Sequence, residues 1–230
     1  MRDSADWDIP PERFLTQQEL GNLLVRAHEL LTLGKARSRK PLVRDAMLIF
    51  TALYTGLRRA EICALKVQDL GIGNGRSHLV VENGKGGKRR TVHVGKAYKA
   101  ILRDYLVWKS EQGELHPDAY LIRNSKCEFY TPTALWKRWR KYAPNGHRLH
   151  DARHTVASQL LRSGQSLRMI AQVLGHARTS TTAIYAQCAP DMLIEGMNQM
   201  EGLAKDAMKS AVKSAVKSTT QSATQSVPVA

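Results

Sequence analysis

The chain has 230 residues, of which 43% are hydrophobic, so it can bury a core and form one large domain with a small appendage. Its apolar stretches are too short to span a bilayer, and no leader is recognisable. Three widely spaced cysteines predict neither a disulfide framework nor a cysteine zinc site. These features together favour a cytoplasmic protein. Because 35 Lys and Arg outnumber 20 Asp and Glu, the net charge is +15, which favours a polyanionic partner such as nucleic acid.

The first part of the chain predicts an irregular arm followed by helices. Residues 1–14 show no hydrophobic periodicity and contain adjacent prolines, so they are predicted to form an irregular N-terminal arm. Thr16 and Glu19 have the spacing of a capping box, and leucines recur at helical spacing after them. A second helix is predicted after Pro41, and a third over residues 58–67.

The hydrophobic period changes between residues 69 and 94. Two short β-prone runs flank a glycine-rich turn there, which predicts an antiparallel hairpin. Helical patterns return over 97–110 and after Thr131, where a proline follows the predicted N-cap residue. Three more helical stretches are predicted over residues 151–164, 166–176 and 179–187. The predicted fold class is therefore mainly α with a small antiparallel β-sheet (α+β).

The C-terminal part divides into two segments. Residues 191–208 have apolar side chains at helical spacing and predict a C-terminal helix. Its predicted buried face consists of Met192, Leu193, Met197, Met200 and Leu203. Residues 209–230 form a Lys/Ser/Ala repeat and a Ser/Thr/Gln tail, which predict disorder because too little apolar surface offsets the entropy of ordering.

Four short motifs contain residues suited to phosphate chemistry. They are "TGLRRAEI" with Arg58, "GKGGKRR" with Lys85, "LHDARHT" with His150 and Arg153, and "LGHARTSTTAIY" with His176 and Tyr185. Each motif by itself has a structural interpretation of at least equal weight. Arg58 can cap a helix or pair with Glu61, and Lys85 can be an exposed residue of a turn with no further role. The functional hypothesis therefore depends on the presence of all four motifs together and on their order along the chain.

Together, over residues 15–190, the motifs resemble the catalytic domain of the tyrosine recombinase (phage integrase) family. In the first box the resemblance selects Arg58 rather than Arg59, and in the hairpin it selects Lys85, with Lys88 as the alternative. The second box departs from the family pattern only at Ala152, where leucine is usual. The implied catalytic residues are Arg58, Lys85, His150, Arg153, His176 and Tyr185.

The chemistry implied by the resemblance needs no metal, cofactor or ATP. Positive charge must neutralise the non-bridging phosphate oxygens, and the guanidiniums of Arg58 and Arg153 suit that role. A tyrosine hydroxyl has a pKa of about 10, so Tyr185 needs assistance before it attacks the scissile phosphate. The product would be a 3′-phosphotyrosine, which conserves the bond energy for rejoining.

Proton transfer and phosphate binding are assigned to the remaining three residues. His150 would accept or steer protons, His176 would hydrogen-bond the phosphate in the transition state, and Lys85 would protonate the leaving 5′-oxygen. The implied function is site-specific DNA recombination, with integration, excision, inversion and resolution all open as outcomes. The resemblance implies a bacterial, phage or plasmid origin.

Basic residues of the hairpin and of the helix after Thr131 are the predicted DNA contacts. Residues 83–148 contain fifteen Lys or Arg against five Asp or Glu, which accounts for +10 of the net charge. In the helix the cations lie among two tryptophans and a tyrosine, which is typical of a helix in a major groove or of a cationic surface helix with buried aromatics. The predicted contacts are Lys88, Arg89, Arg90, Lys137, Arg138, Arg140 and Lys141.

The predicted partner is double-stranded DNA with inverted-repeat sites, bound by a homo-oligomer that the resemblance implies to be a tetramer. The resemblance also implies that the helix over residues 191–208 is exchanged between protomers, whereas its residues equally allow it to dock on its own domain. Because few residues precede the second helix, accessory DNA-bending proteins are possible partners, and a missing or naturally absent N-terminal domain stays open. One alternative is a helix-turn-helix regulator, which would never form a covalent adduct with DNA. Another is a zinc hydrolase using His150 and His154, which a chelator would inhibit. A type IB topoisomerase is a related alternative, although the boxes are more similar to those of recombinases.

Overall fold

The computed structural model of the protein describes residues 11–73, 75–82, 89–126, 128–175 and 190–224. None of the helices in these ranges is both long and apolar enough to cross a membrane. The helices are α1 (Gln17–Ala36), α2 (Lys40–Thr55), α3 (Arg59–Ala64), α4 (Lys96–Glu111), α5 (Pro132–Trp139), α6 (Leu149–Arg162), α7 (Leu167–Leu174) and α8 (Pro190–Thr224). The strands are β1 (Leu70–Gly71), β2 (His78–Val81) and β3 (Arg90–His93).

The three strands form one antiparallel sheet in the order β1-β2-β3. Leu79 of β2 lies opposite Val92 of β3, and both side chains are buried. β1 adds a short edge that the sequence pattern did not predict. The predicted fold class, mainly α with a small antiparallel sheet, is confirmed by this architecture.

Two helix starts follow from local side-chain chemistry. The Thr16 hydroxyl accepts a hydrogen bond from the Glu19 backbone N–H, and the Glu19 carboxylate accepts one from the Thr16 backbone N–H. The predicted capping box at α1 is therefore confirmed. Thr131 likewise accepts from the Ala134 backbone N–H, with Pro132 as the first residue of α5.

Helix α2 forms the centre of the core. All its residues from Val43 to Thr55 are buried, and it packs against α1 on one side and α6 on another. Such a helix, apolar around most of its circumference, is stable only when other elements surround it. It ends at Gly56, whose φ of +61° terminates the helix in the left-handed region. This end fixes the backbone that leads directly into Arg58.

Helix α8 is longer than predicted and packs on α1 of the same chain. Three predicted apolar residues, Leu193, Met197 and Met200, are buried as expected, whereas Leu203 is only partly buried. The stripe then continues through small residues, and a Cβ added at Gly21 of α1 would lie only 2.3 Å from the Ala207 carbonyl oxygen. The buried alanines are Ala204, Ala207 and Ala211.

The predicted disorder from residue 209 is therefore wrong for the part that reaches Thr224. Alanine and lysine, which are frequent in this segment, have high helix propensity, and the small alanine side chains allow close approach to α1. The low hydrophobicity of this segment therefore gave no pattern that predicted a helix, because the helix packs through close backbone approach rather than through large apolar side chains.

Helix α8 also provides the groups that cap the start of α4. The Glu201 carboxylate accepts hydrogen bonds from the backbone N–H groups of Ala97 and Tyr98, at 2.8 and 3.2 Å. Asn198 accepts one from the Lys96 N–H at 2.7 Å. Burial raises the pKa of Glu201 to about 7, although these hydrogen bonds act in the opposite direction. A distant element therefore supplies the cap that the residue before α4, Gly95, lacks.

Candidate active site

Arg58 lies at the start of α3 and is held by a carboxylate of the same helix. Its Nη1 donates to Glu61 Oε1 at 2.9 Å, and its backbone N–H donates to Glu61 Oε2 at 2.7 Å. About a quarter of the Arg58 side chain is exposed. The pairing with Glu61 that the sequence left open is therefore present, and the side chain remains partly accessible to solvent.

Glu61 is shared between Arg58 and an arginine of β3. Arg90 donates two parallel hydrogen bonds to its carboxylate, at 2.6 and 2.8 Å. Burial alone would raise the pKa of Glu61, but the hydrogen bonds from Arg90 and from the Arg58 backbone lower it to about 2. Glu61 is therefore ionised at neutral pH and joins α3 to the sheet.

Arg153 is the most deeply buried of the three predicted catalytic residues that the structure describes. Its side chain projects from α6 and donates to the Gly56 carbonyl at 2.7 Å and to the Leu174 carbonyl at 2.6 Å. Burial, followed by the neighbouring charge of Arg58, lowers its pKa to about 10, so it remains a cation at neutral pH. Only 3% of the residue is exposed.

The two predicted catalytic arginines meet at the C-terminal end of α7. Arg58 Nη2 donates to the Gly175 carbonyl at 3.3 Å, next to the Leu174 carbonyl that Arg153 contacts. Cations are favourable at a helix C-terminus, where carbonyl groups lack partners within the helix. Residues from the first and second boxes are therefore brought together by the residues that directly precede His176.

Gly175 is required at this junction for two reasons. Its φ is +66°, in the left-handed region that ends α7. A Cβ at this position would also lie 2.3 Å from Nε and 2.4 Å from Cδ of Arg90. The glycine of the "LGH" motif thus permits the close approach of β3 to the end of α7.

His150 lies in the first turn of α6 and is exposed. Its ring contacts that of His154 edge to face, with centroids 4.5 Å apart. Desolvation of the ring, followed by the charge of Arg153, lowers the pKa of His150, and the same kinds of effect lower that of His154 to about 4. His150 is therefore mostly neutral at pH 7, and a neutral imidazole can accept a proton.

Arg58 and His150 open into one cleft, with a volume of about 750 Å³. Among the residues that the structure describes, the lining contains four arginines and no carboxylate, and the apolar part of its wall includes Trp136. The lining residues are Arg13, Leu57, Arg58, Arg59, Ala60, Pro132, Trp136, Arg148, Leu149 and His150. Such a lining is suited to a large anion. Arg153 is not among these residues, since its guanidinium is turned to the backbone carbonyls beneath.

Three arginines of this cleft were not predicted from the sequence. Arg59 was set aside in favour of Arg58, Arg148 precedes the second box, and Arg13 lies in the segment predicted to be irregular. Their positions depend on how α3, α6 and the N-terminal segment pack. No local pattern in the sequence indicated that they share a cleft.

The segment before α1 is docked on the helix that carries His150 and Arg153. Arg13 pairs with Asp151 at 2.7 Å, and the Leu15 N–H donates to the Thr155 hydroxyl at 3.0 Å. Asp151 is buried and also accepts the Arg148 backbone N–H at 2.7 Å. These contacts fix the first turn of α6 on both sides of Asp151.

The predicted DNA contacts fall into two groups. In and after α5, Lys137, Arg140 and Lys141 are exposed, and the Arg140 guanidinium lies 4.8 Å from the Trp136 ring centre. Arg138 instead pairs with the buried Asp45 at 2.5 Å.

In the hairpin, Arg89 pairs with the exposed Glu82 at 3.0 Å, and Arg90 belongs to the Glu61 cluster. Arg90 and Arg138 therefore both engage buried carboxylates. DNA contact by either stays a prediction, and the structure adds a packing role for each.

Four predicted site residues, Lys85, Lys88, His176 and Tyr185, lie outside the described residues. Their roles stay predictions. Within the described ranges, no group of three or more His, Cys, Asp or Glu residues could hold a metal ion. The zinc-hydrolase alternative therefore finds no third ligand there for His150 and His154.

Comparison with protein families gives one match that covers most of the chain. The profile described as "Phage integrase family" matches residues 13–192. The tyrosine recombinase XerA of Pyrococcus furiosus is 31% identical over 173 residues, which cover 71% of this chain and 58% of the relative. The tyrosine recombinase XerC of Thermodesulfovibrio yellowstonii is 32% identical over 172 residues, which cover 71% and 56%. The chain thus spans less than two thirds of the length of these relatives.

Solved structures show the same similarity. The crystal structure of XerA recombinase aligns with a TM-score of 0.58 at 27% identity, covering 84% of this chain and 65% of the other. XerH site-specific recombinase bound to its difH substrate, in a pre-cleavage complex, aligns with a TM-score of 0.58 at 25% identity, covering 74% and 48%. The residues matched by the family profile, 13–192, include all the predicted boxes.

Proposed function

Since the chain belongs to the phage integrase family, we propose that it is a site-specific DNA recombinase that cuts and rejoins strands through a 3′-phosphotyrosine intermediate. The observation that carries the proposal is the convergence of Arg58 and His150 on one cleft, with Arg153 directly behind it. These residues come from boxes that are far apart in the sequence. A regulator that only binds DNA would have no need for this convergence.

Arg58 is the group best placed to bind the scissile phosphate. It lines the cleft, is partly exposed, and is held by Glu61 so that little ordering remains for the substrate to impose. Preorganised cations of this kind stabilise the charge that develops on the phosphate oxygens. Arg153 contributes its positive charge from beneath, and it contacts phosphate directly if an oxygen replaces one of its carbonyl partners.

His150 is suited to proton transfer at the same phosphate. Its lowered pKa keeps it mostly neutral at pH 7, and it lines the same cleft as Arg58. The nucleophile of the proposal is Tyr185, which His150 would help to deprotonate. His176 is assigned to hydrogen-bond the phosphate, and Lys85 to protonate the leaving oxygen. These three assignments rest on the family resemblance of their motifs.

The proposed substrate is double-stranded DNA with inverted-repeat sites, bound by a homo-oligomer of this chain. The net charge of +15 and the four arginines among the described residues of the cleft support a nucleic-acid partner. A tetramer would allow two cut sites to exchange strands, and accessory DNA-bending proteins would help to bring those sites together. Lys137, Arg140 and Lys141 are the proposed DNA contacts of α5 and the residues after it.

The test is covalent trapping on a nicked suicide substrate that carries the cognate site, found by mapping inverted repeats beside the gene. Wild-type protein is expected to form an SDS-resistant adduct in the presence of EDTA, because the proposed chemistry uses no metal. Tyr185→Phe should retain DNA binding and form no adduct. The nucleophile assignment is refuted if that variant still forms one, and recombinase function is refuted if the wild type binds the site but never forms one.

A further inference from the structure

We propose that Arg59 and Arg148 bind phosphates of the DNA backbone next to the phosphate that is cut. This proposal rests on the proposed function, because it assumes that DNA enters the cleft at Arg58 and His150. Neither arginine belongs to the family boxes that define the predicted catalytic residues. They would supply affinity and register rather than chemistry at the reacting atoms.

The four arginines of the cleft differ in whether their charge is compensated. Arg58 pairs with Glu61 at 2.9 Å, and Arg13 pairs with Asp151 at 2.7 Å. In the described ranges, by contrast, neither Arg59 nor Arg148 forms an ion pair, and both side chains are exposed. Because no carboxylate is among the described residues that line the cleft, these two arginines can attract an incoming anion without such a competing counter-ion.

The two arginines are held close to the proposed reaction centre by rigid backbone. Arg59 is the first residue of α3 and directly follows Arg58. Arg148 is the residue before α6, two positions before His150, and its N–H is fixed on Asp151 at 2.7 Å. Phosphates repeat along a DNA strand, so a phosphate placed at Arg58 and His150 brings its neighbours past these two side chains.

The shape and composition of the cleft fit a DNA backbone rather than a single small anion. Its volume of about 750 Å³ greatly exceeds that of one phosphate group. Its accessible apolar lining, Ala60, Pro132 and Trp136, can pack against sugars between the phosphates. A lining that combines arginines with accessible apolar groups therefore suits a backbone of phosphates and sugars.

The experiment measures how DNA affinity depends on salt. All variants are made in the Tyr185→Phe background so that no covalent product accumulates, and binding to a mixed-sequence duplex is followed by fluorescence anisotropy. Each phosphate contact contributes a slope of about −0.9 to log K against log salt, so losing one contact reduces the affinity loss between 50 and 200 mM salt by about 3.5-fold. Arg59→Ala and Arg148→Ala should each show this reduced salt dependence. The double variant should show the sum of the two reductions in slope.

Arg162→Ala is the matched control. Arg162 is an exposed arginine at the opposite end of α6, about 20 Å from Arg148, and its removal changes the net charge equally. It should leave the slope within error of the parent. Circular dichroism checks that each variant is folded, and Arg59→Gln and Arg148→Gln repeat the measurement if an alanine variant is not.

Parental slopes in both folded arginine variants overturn the proposal, as does an equal change in Arg162→Ala. The trapping assay with wild-type protein is independent of these results. Adduct formation with unchanged slopes refutes only the phosphate contacts. Reduced slopes without any adduct support the contacts and refute the recombinase.

Discussion

Replacing Glu61 with glutamine tests whether one buried carboxylate holds the candidate site together. In the structure this side chain accepts hydrogen bonds from Arg58 and Arg90, and only 3% of it is exposed. Glutamine has nearly the same shape but no charge, so it leaves both guanidiniums without their counter-ion. Arg153 adds a third positive charge nearby, as its interaction with Arg58 indicates. The variant should therefore be much less stable at neutral pH.

The magnitude follows from the pKa of Glu61. It is lowered from 4.5 to about 2 in the folded protein. One pKa unit corresponds to about 1.4 kcal/mol, so ionised Glu61 contributes about 3 kcal/mol to the free energy of unfolding at pH 7. Removing one partner of a buried ion pair typically costs roughly 3–5 kcal/mol, which is similar to the value obtained from the pKa of Glu61.

The lowered pKa of Glu61 also fixes the direction in which its contribution to stability changes with pH. A carboxylate whose pKa is lowered by folding stabilises the protein above its unfolded pKa, and this contribution is lost as pH falls towards the folded pKa. The window therefore runs from about pH 4.5 down to about pH 2. At pH 3 the difference between wild type and Glu61→Gln should have fallen to about 1.4 kcal/mol.

Urea unfolding followed by circular dichroism at pH 7 and pH 3 measures both differences. Glu82→Gln is the matched control, because Glu82 also pairs with an arginine of the hairpin but is 52% exposed. An exposed pair is worth roughly 0–1 kcal/mol, so this variant should differ little from wild type. A Glu61→Gln difference below 1 kcal/mol at pH 7, or one of equal size at both pH values, would refute the reasoning.

Two further predictions concern backbone approach and a buried acid. Gly175→Ala should lower the free energy of unfolding by at least about 1 kcal/mol more than Gly164→Ala. Both glycines have positive φ, but only a Cβ at Gly175 would meet the Arg90 side chain. Equal losses in urea unfolding would contradict this. Glu201 has a pKa raised to about 7, so its contribution to stability falls as pH rises from 4.5 to 7, and Glu201→Gln should gain about 3 kcal/mol relative to wild type between pH 4.5 and pH 8. A difference that is constant over this range, in the same unfolding assay, would exclude that role for Glu201.

Much of the fold could be predicted because its signals are local. The capping box of Thr16 and Glu19 and the N-cap at Thr131 require only neighbouring residues, and both are present. The hairpin follows from alternating side chains around a glycine-rich turn. The end of α8 was not predictable in this way, because alanine carries little hydrophobic signal and packs here by close approach to Gly21.

The candidate site was predicted where its residues belong to recognisable boxes. Arg58, His150 and Arg153 were identified from their motifs, and the structure brings them together around α3, α6 and the end of α7. Arg59 and Arg148 were missed because an exposed arginine beside a motif has no distinctive pattern. Both became candidates only when the cleft was seen.

The type of protein follows from the amino-acid sequence: it is a basic, mainly helical chain with the ordered motifs of the phage integrase family. Those properties are encoded in composition, spacing and local capping, which do not depend on distant contacts. The tertiary structure decided which arginines are compensated. Arg90 and Arg138 meet buried carboxylates, whereas Arg59 and Arg148 line an open cleft. Charge alone cannot distinguish these cases, because an arginine's role depends on the groups that packing places within reach of its guanidinium.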